Sequence, residues 1–210
     1  MKPFAQWTKE EVENEFKLIA DTDYSKLHQW LSAPSIISTE ESQLLDQLAQ
    51  KLLKHVYDWN EEELKVYFIA LLLNIVDFHQ DAYRPFLERE LSVEYAEGKT
   101  LWGIVDFLVA SGKQQPKQPF LFLHEYKRQI NTSNDPMGQL LAAMVAAQKA
   151  NDYTHPIYGA YIIGRHWYFV LLDHNIYAES LAYDATKAEI IDVVRILRNT
   201  KQLIEDIISS

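Results

Sequence analysis

Three charged residues stand where apolar ones are expected. Asp106 interrupts the run Leu101-Trp102-Gly103-Ile104-Val105-Asp106-Phe107-Leu108-Val109, and Glu125-Tyr126-Lys127 closes the next, Pro119-Phe120-Leu121-Phe122-Leu123-His124-Glu125-Tyr126-Lys127. Charged side chains are rarely buried unless they are paired or hold a metal, so this placement points to a metal-dependent site. Side chains alternate along a strand, which puts Glu125 and Lys127 on one face with Leu121 and Leu123, and His124 and Tyr126 on the other. On its own strand Asp106 shares a face with Ile104 and Leu108. If the two strands are neighbours, Asp106 and Glu125 converge on one cation, with a backbone carbonyl of the Glu125-Tyr126 stretch as a further ligand. For Mg2+ or Mn2+, two carboxylates plus water and substrate phosphate are a sufficient set of hard oxygen donors. Lys127 then stands within reach of an attacking water, to lower its pKa, accept its proton or stabilise transition-state charge. The chemistry expected is metal-assisted hydrolysis of a phosphodiester.

The elements that must position these residues are legible from periodicity and caps. Helices are expected over Lys9 to Ala20 and Asp23 to Trp30. The capping box of Ser38 with Glu41 then opens an amphipathic helix to about Tyr57. Asn60 is a good N-cap for a second helix, with Glu61, Glu62 and Glu63 where the helix dipole favours negative charge and Leu64, Phe68, Leu71, Leu72 and Ile75 as its apolar face. From about Phe86 the period becomes two, and Leu87 to Tyr95 reads as a strand with one wet face. The Asp106 and Glu125 strands are apolar on both faces and should be central, joined by a polar loop from Ser111 to Gln118.

Asn134 or Asp135 caps a helix with Pro136 in its first turn, and Gly138 to Ala147 is apolar nearly all round, which predicts a buried helix. Ile157 to Ile163 and Trp167 to Asp173 form a hairpin turning at Gly164-Arg165 in type II′ geometry, with Ile176 to Ala182 as an edge strand. Thr186 and Glu189 make a second capping box for a terminal helix from Ala185 to Ile208. The organisation expected is an N-terminal helical extension, residues 1–58, and a core over 59–210, together one compact unit of the α/β class.

Composition excludes several classes. At 210 residues with 48% apolar and 12% aromatic content, the chain can bury a proper core, so disorder is not expected. No apolar run approaches the roughly 18 residues of a membrane span, and the start, Met1-Lys2-Pro3-Phe4-Ala5-Gln6-Trp7, lacks the apolar core of a signal peptide. There is no cysteine, which rules out disulfides and thiolate zinc sites, and the cytoplasm is the expected location. The 20 basic against 30 acidic residues give a formal charge of -10, which opposes non-specific binding to a polyanion; a nucleic acid must then meet a local basic patch, or a metal that offsets the carboxylates. The seven histidines show no metal-ligand spacing. Trp167, Tyr168 and Phe169 look like hairpin core before they look like a base-stacking platform.

In Val105-Asp106-Phe107, Glu125-Tyr126-Lys127 and Gln139 early in the following helix, the chain resembles the PD-(D/E)XK nuclease superfamily. The likeness is greatest to the amino-terminal nuclease domain of type I restriction motor subunits, including Tyr158-Gly159-Ala160-Tyr161 and Gly164-Arg165-His166-Trp167, and it covers about residues 59 to 173. The resemblance implies a restriction-endonuclease-like fold, a mixed β-sheet flanked by helices. It implies a magnesium-dependent endodeoxyribonuclease of bacterial type, with Asp106 and Glu125 as metal ligands, Lys127 as catalytic lysine, and Gln139 and a helix glutamate assisting. It further implies DNA as partner and work as a homodimer or larger nuclease assembly, because cutting two strands takes two sites. Val105 stands where the family's name has proline. The helix glutamate is Glu61, which shares a face with Leu64, Phe68 and Leu71, with Glu63 as alternative. Lys113 and Lys117 in one loop, and Lys127 to Asn134 with Arg128 in another, would flank the nucleic-acid backbone.

Blander alternatives stand beside each residue. Glu-x-Lys arises on any exposed strand of alternating charge, Asp106 can cap a strand end, Gln139 can bond an exposed backbone group, and glutamates 61 to 63 can serve the helix dipole. Two other functions follow: a non-catalytic binding or regulatory module on the same fold, or an interaction protein whose buried charges form a structural salt bridge to Lys127.

Overall fold

The computed structural model describes residues 2–32, 34–129 and 135–209. Its helices are α1 (Lys9–Phe16), α2 (Ser25–Ser32), α3 (Thr39–His55), α4 (Glu61–Leu64), α5 (Ala70–Val76), α6 (Pro136–Ala150) and α7 (Glu189–Ser209). The strands are β1 (Lys2–Pro3), β2 (Ile19–Ala20), β3 (Arg84–Ala96), β4 (Lys99–Ser111), β5 (Lys117–Lys127), β6 (Ile157–Ile163), β7 (His166–Asp173), β8 (Ile176–Glu179) and β9 (Tyr183–Asp184). They form one mixed nine-stranded sheet in the order β1-β4-β5-β6-β7-β8-β2, with β3 on β4 and β9 on β7. Pairs β1/β4, β5/β6 and β2/β8 are parallel, and β3/β4, β4/β5, β6/β7, β7/β8 and β7/β9 antiparallel. The chain is thus mixed α/β, a sheet flanked by helices.

Each face of the sheet carries a core. On one side α6, with 12 of its 15 residues buried, packs with Phe4, Trp7 and Val12 against Val105, Leu108 and Leu123. On the other, α2, α3, α5 and α7 cover Phe107, Val109, Phe122 and Phe169. The first 58 residues are woven into both. β1 and β2 join the sheet, the Phe4 ring fills the space over Gly103 where a Cβ would lie 2.5 Å from it, and Trp30 meets Phe122, Tyr158 and Phe169 edge-on.

Local sequence explains most starts and stops. Ser38 with Glu41 and Asn60 with Glu63 form capping boxes, and Asp135 caps α6 by accepting from the Gly138 N–H. Asn134, the other candidate cap, lies outside the described residues. The β6–β7 turn is two residues long, with φ +57° at Gly164, the positive φ that a type II′ turn requires at its first position. At the start of α7 the expected Thr186–Glu189 box is replaced: Glu189 accepts from the Asp184 N–H, and the Thr186 hydroxyl and N–H both donate to Asp184.

Two periodicities break near the expected site. Between α4 and α5 the helix opens into a π turn, Lys65–Ile69, which adds a residue to one turn. The inner face therefore runs Leu64, Phe68, Ile69, Leu72 and Val76, and Leu71, expected inward, is 45% exposed. In β3, Glu88 has φ +50°, and the strand changes face there: Phe86 is buried and Leu87 58% exposed, whereas Leu91 is buried again. Glu88 lies between the pairs Leu87↔Phe107 and Arg89↔Val105, hence opposite Asp106. β4 switches in step, since Val105 belongs to the α6-side core and Phe107 to the other. Asp106 therefore does not share a core with Leu108, as unbroken alternation would require, and Ile104 is exposed.

Candidate active site

The site lies at a fork in the sheet. β3 occupies one edge of β4 along its length, while the other edge pairs with β1 at Leu101 and Trp102 and with β5 from Phe107 onward. The last pair before β4 and β5 part is Phe107↔His124, and β5 continues to Lys127 alongside β6 alone. Asp106 and Glu125 are the next residue of each strand beyond that pair. The Asp106 side chain stands in for the missing ladder, its Oδ2 accepting from the Tyr126 N–H at 2.9 Å. Branching strands and buried carboxylates thus occur together for one reason, because a backbone donor released by the divergence needs an acceptor.

Two lysines neutralise the carboxylates. The Lys127 ammonium donates to Glu125 Oε1 and lies 3.9 Å from Glu61 Oε2. Lys65, on the π turn, contacts Glu88 (2.9 Å), Asp106 Oδ1 (3.0 Å), Glu62 (3.3 Å) and Glu61 (3.5 Å). Glu125 is only 3% exposed. Burial, reinforced by the charge of Asp106 and only partly offset by Lys127, pushes its carboxyl up from 4.5 to about 8. Burial favours the neutral form of both lysines, yet the carboxylates around them win and hold both above the ordinary lysine value, Lys65 through Asp106 and Glu88 and Lys127 chiefly through Glu125. Burial also holds the Tyr126 hydroxyl far above its usual range and the His124 imidazole down at about 3. A cleft of about 200 Å³ opens beside Asp106, lined by Lys65, Val66, Ile69, Leu87, Glu88 and Tyr126 among others. A larger cleft, about 700 Å³ and lined by Pro34 and Arg195 among others, contains none of these groups.

The fold therefore brings Asp106, Glu125, Lys127 and Glu61 into one charged cluster. Glu63 is committed elsewhere: its carboxylate accepts from the Asn60 N–H at 2.8 Å in the capping box. Gln139 is 8% exposed on α6, its Oε1 has no hydrogen-bond partner among the described residues, and no described bond ties it to the cluster. Lys113 and Lys117 sit at the far end of the β4–β5 hairpin, about 17 Å along the strand from Asp106 at the usual rise per residue; they do not border the site. Arg128 follows Lys127 directly and is exposed, whereas 130–134 lie outside the described residues.

Two members were not anticipated. Lys65 stands four residues after Glu61 on one helix, a spacing that reads as an ordinary surface pair, although the choice of Glu61 as inward-facing already implied that Lys65 follows it. Glu88 sits on the wet face of an alternating strand, and only its left-handed φ, invisible in sequence, turns it to Asp106.

Among the described residues no three acidic or histidine side chains are arranged to hold a metal by themselves, and no helix is long and apolar enough to cross a membrane. No protein-family model matches the chain, and no curated protein is significantly similar to it.

Proposed function

We propose that this chain is a metal-dependent nuclease that hydrolyses phosphodiester bonds of DNA, on a restriction-endonuclease-like sheet, in the cytoplasm. One observation carries the reading: a glutamate that is 3% exposed stands beside a second carboxylate at the open fork of the sheet, with a lysine two residues on. Packing alone does not favour such a group, since an apolar residue of similar volume is as stable or more so. The donor chemistry fits magnesium or manganese. Asp106 and Glu125 are hard oxygen donors, and two suffice when water and substrate phosphate complete the shell. The burial that disfavours an ionised Glu125 is a cost that a divalent cation offsets. When bound, that cation supplies Lewis acidity toward phosphate oxygen and makes a coordinated water more acidic.

The protein's own groups supply the rest. Lys127, held protonated by its carboxylate neighbours, acts as a fixed positive charge toward the developing negative charge on phosphorus-bound oxygens rather than as a base. Glu61, 3.9 Å from Lys127, orients that ammonium. Gln139, whose Oε1 has no partner among the described residues, offers an acceptor for a bound water. A homodimer or larger assembly would bring a second site to the other strand of a duplex.

A second reading, a non-catalytic module on the same fold, is favoured by the ion pairs themselves: Lys65 already satisfies Asp106 and Glu88, and the chain's net charge of -10 opposes DNA. Thermal unfolding with added Mg2+ or Mn2+, for the native protein and Asp106→Ala, together with a cleavage assay, separates them. A metal that binds only the native state raises the melting temperature by mass action. The nuclease reading expects a rise that Asp106→Ala abolishes, and metal-dependent cleavage of supercoiled, linear or single-stranded DNA that Lys127→Met abolishes. Metal binding without cleavage of any nucleic acid selects the module.

A further inference from the structure

Lys65 occupies an unusual place for a helix lysine. Its side chain is only 16% exposed, its ammonium lies within 3.5 Å of four carboxylates, and the two nearest are Glu88 at 2.9 Å and Asp106 at 3.0 Å. Both Asp106 oxygens are thereby engaged, Oδ1 by Lys65 and Oδ2 by the Tyr126 N–H. The backbone is bent on both sides to make this contact. Lys65 opens the π turn between α4 and α5, and Glu88 sits in the left-handed region that non-glycine residues rarely adopt. Such departures cost free energy and persist where surrounding contacts over-determine them. Here the over-determining contact is the ammonium, the positive centre of the cluster beside Asp106.

We propose that Lys65 is a tethered cation that competes with the divalent metal for Asp106, so that loading of the site is an exchange in which the ammonium leaves Oδ1 as the ion arrives. The inference rests on the metal-dependent reading above and deepens it. Without metal, Lys65 keeps the carboxylates from repelling one another and holds the site closed. With metal, the ammonium is released toward Glu62 and Glu88 at the rim, where it adds a positive charge at the mouth of the cleft that a phosphodiester must enter. The exchange is selective by charge: a monovalent cation offers Asp106 no more than the ammonium already does, whereas a divalent one offers twice the charge at shorter range.

The test is direct binding of Mn2+, followed by the loss of the free-ion electron paramagnetic resonance signal, to the native protein, Lys65→Met, Lys65→Arg and Glu88→Gln. Methionine keeps the apolar stem and removes the competing charge, so the Mn2+ Kd should fall by about tenfold or more, within the usual range of coupling between linked binding events. Lys65→Arg retains a cation and should bind no tighter than native. Glu88→Gln keeps every lysine but removes the carboxylate that receives the released ammonium, and should weaken binding. If Lys65→Met does not fold, Glu88→Gln decides the matter alone. Equal or weaker binding by the folded Lys65→Met or, in its absence, equal or tighter binding by Glu88→Gln overturns the exchange while leaving the metal reading intact. Absence of Mn2+ binding in all four proteins overturns the metal reading and the exchange with it.

Discussion

Replacing Glu125 by glutamine should make the protein more stable and, on the metal-dependent reading, abolish its response to added metal. The carboxyl is raised from 4.5 to about 8 by burial first and by the neighbouring Asp106 second. A raised acid binds its proton more tightly in the folded state, so its contribution to stability is complete below 4.5 and is lost as pH climbs through about 8. At about 1.36 kcal/mol per pKa unit, the loss approaches 5 kcal/mol above pH 8. The amide of the Glu125→Gln protein cannot ionise and escapes that loss, but it weakens the bond from Lys127, which then keeps Glu61 at 3.9 Å as its carboxylate partner. The value of about 8 already includes the Lys127 attraction, so once imperfect accommodation of the amide is allowed for, the net gain at pH 8 is about 2–4 kcal/mol, or roughly 4–16 °C in melting temperature for a chain of this size. The assay is thermal unfolding of both proteins in chelator at pH 5, 6, 7 and 8. Their difference should be small at pH 5 and widen with pH. Added Mn2+ should then reverse the order, raising only the native protein. A Glu125→Gln protein that is less stable by the same amount at every pH would refute the reasoning, since Glu125 would then be an ionised partner of Lys127 throughout.

Two further outcomes follow from the cores. Trp30→Ala, which empties the contact with Phe122, Tyr158 and Phe169 and the indole bond to Thr200, should cost about 3–5 kcal/mol, and chemical denaturation should remain a single transition; separate unfolding of residues 1–58 would contradict the shared core. His124, held neutral down to about 3 by burial, is a depressed base, so its contribution is complete above 6.5 and is lost as pH falls toward 3; its ring signals in NMR should show no titration above about pH 4, and a titration near 6.5 would contradict the burial.

The capped starts of α3, α4 and α6, the buried α6, the two-residue hairpin at Gly164 and the centrality of β4 and β5 were legible in the sequence because each depends on neighbours within a few residues: a cap and its partner, an apolar run, a glycine at a positive φ. The charged triplet was legible for a related reason. Asp106, Glu125 and Lys127 violate the apolar pattern around them, and a violation of pattern is itself a local signal. The alternation rule failed at Glu88 and Asp106, and the helical period failed at Lys65, where the backbone departs from regular geometry beside contacts made across the fold.

The sequence by itself determined that Asp106, Glu125 and Lys127 lie on two central strands, and that helices flank them. Tertiary structure alone decided that β4 and β5 part just beyond Phe107↔His124, so that Asp106 replaces a backbone acceptor. It also decided that Lys65 and Glu88, 23 residues apart, meet at Asp106, and that the first 58 residues join the sheet and both cores. The physical reason is range. Caps, turns and periodicity are settled by interactions between near neighbours in the chain, whereas the position of a charge is settled by the cost of burying it, and its partners come from wherever the fold can bring one.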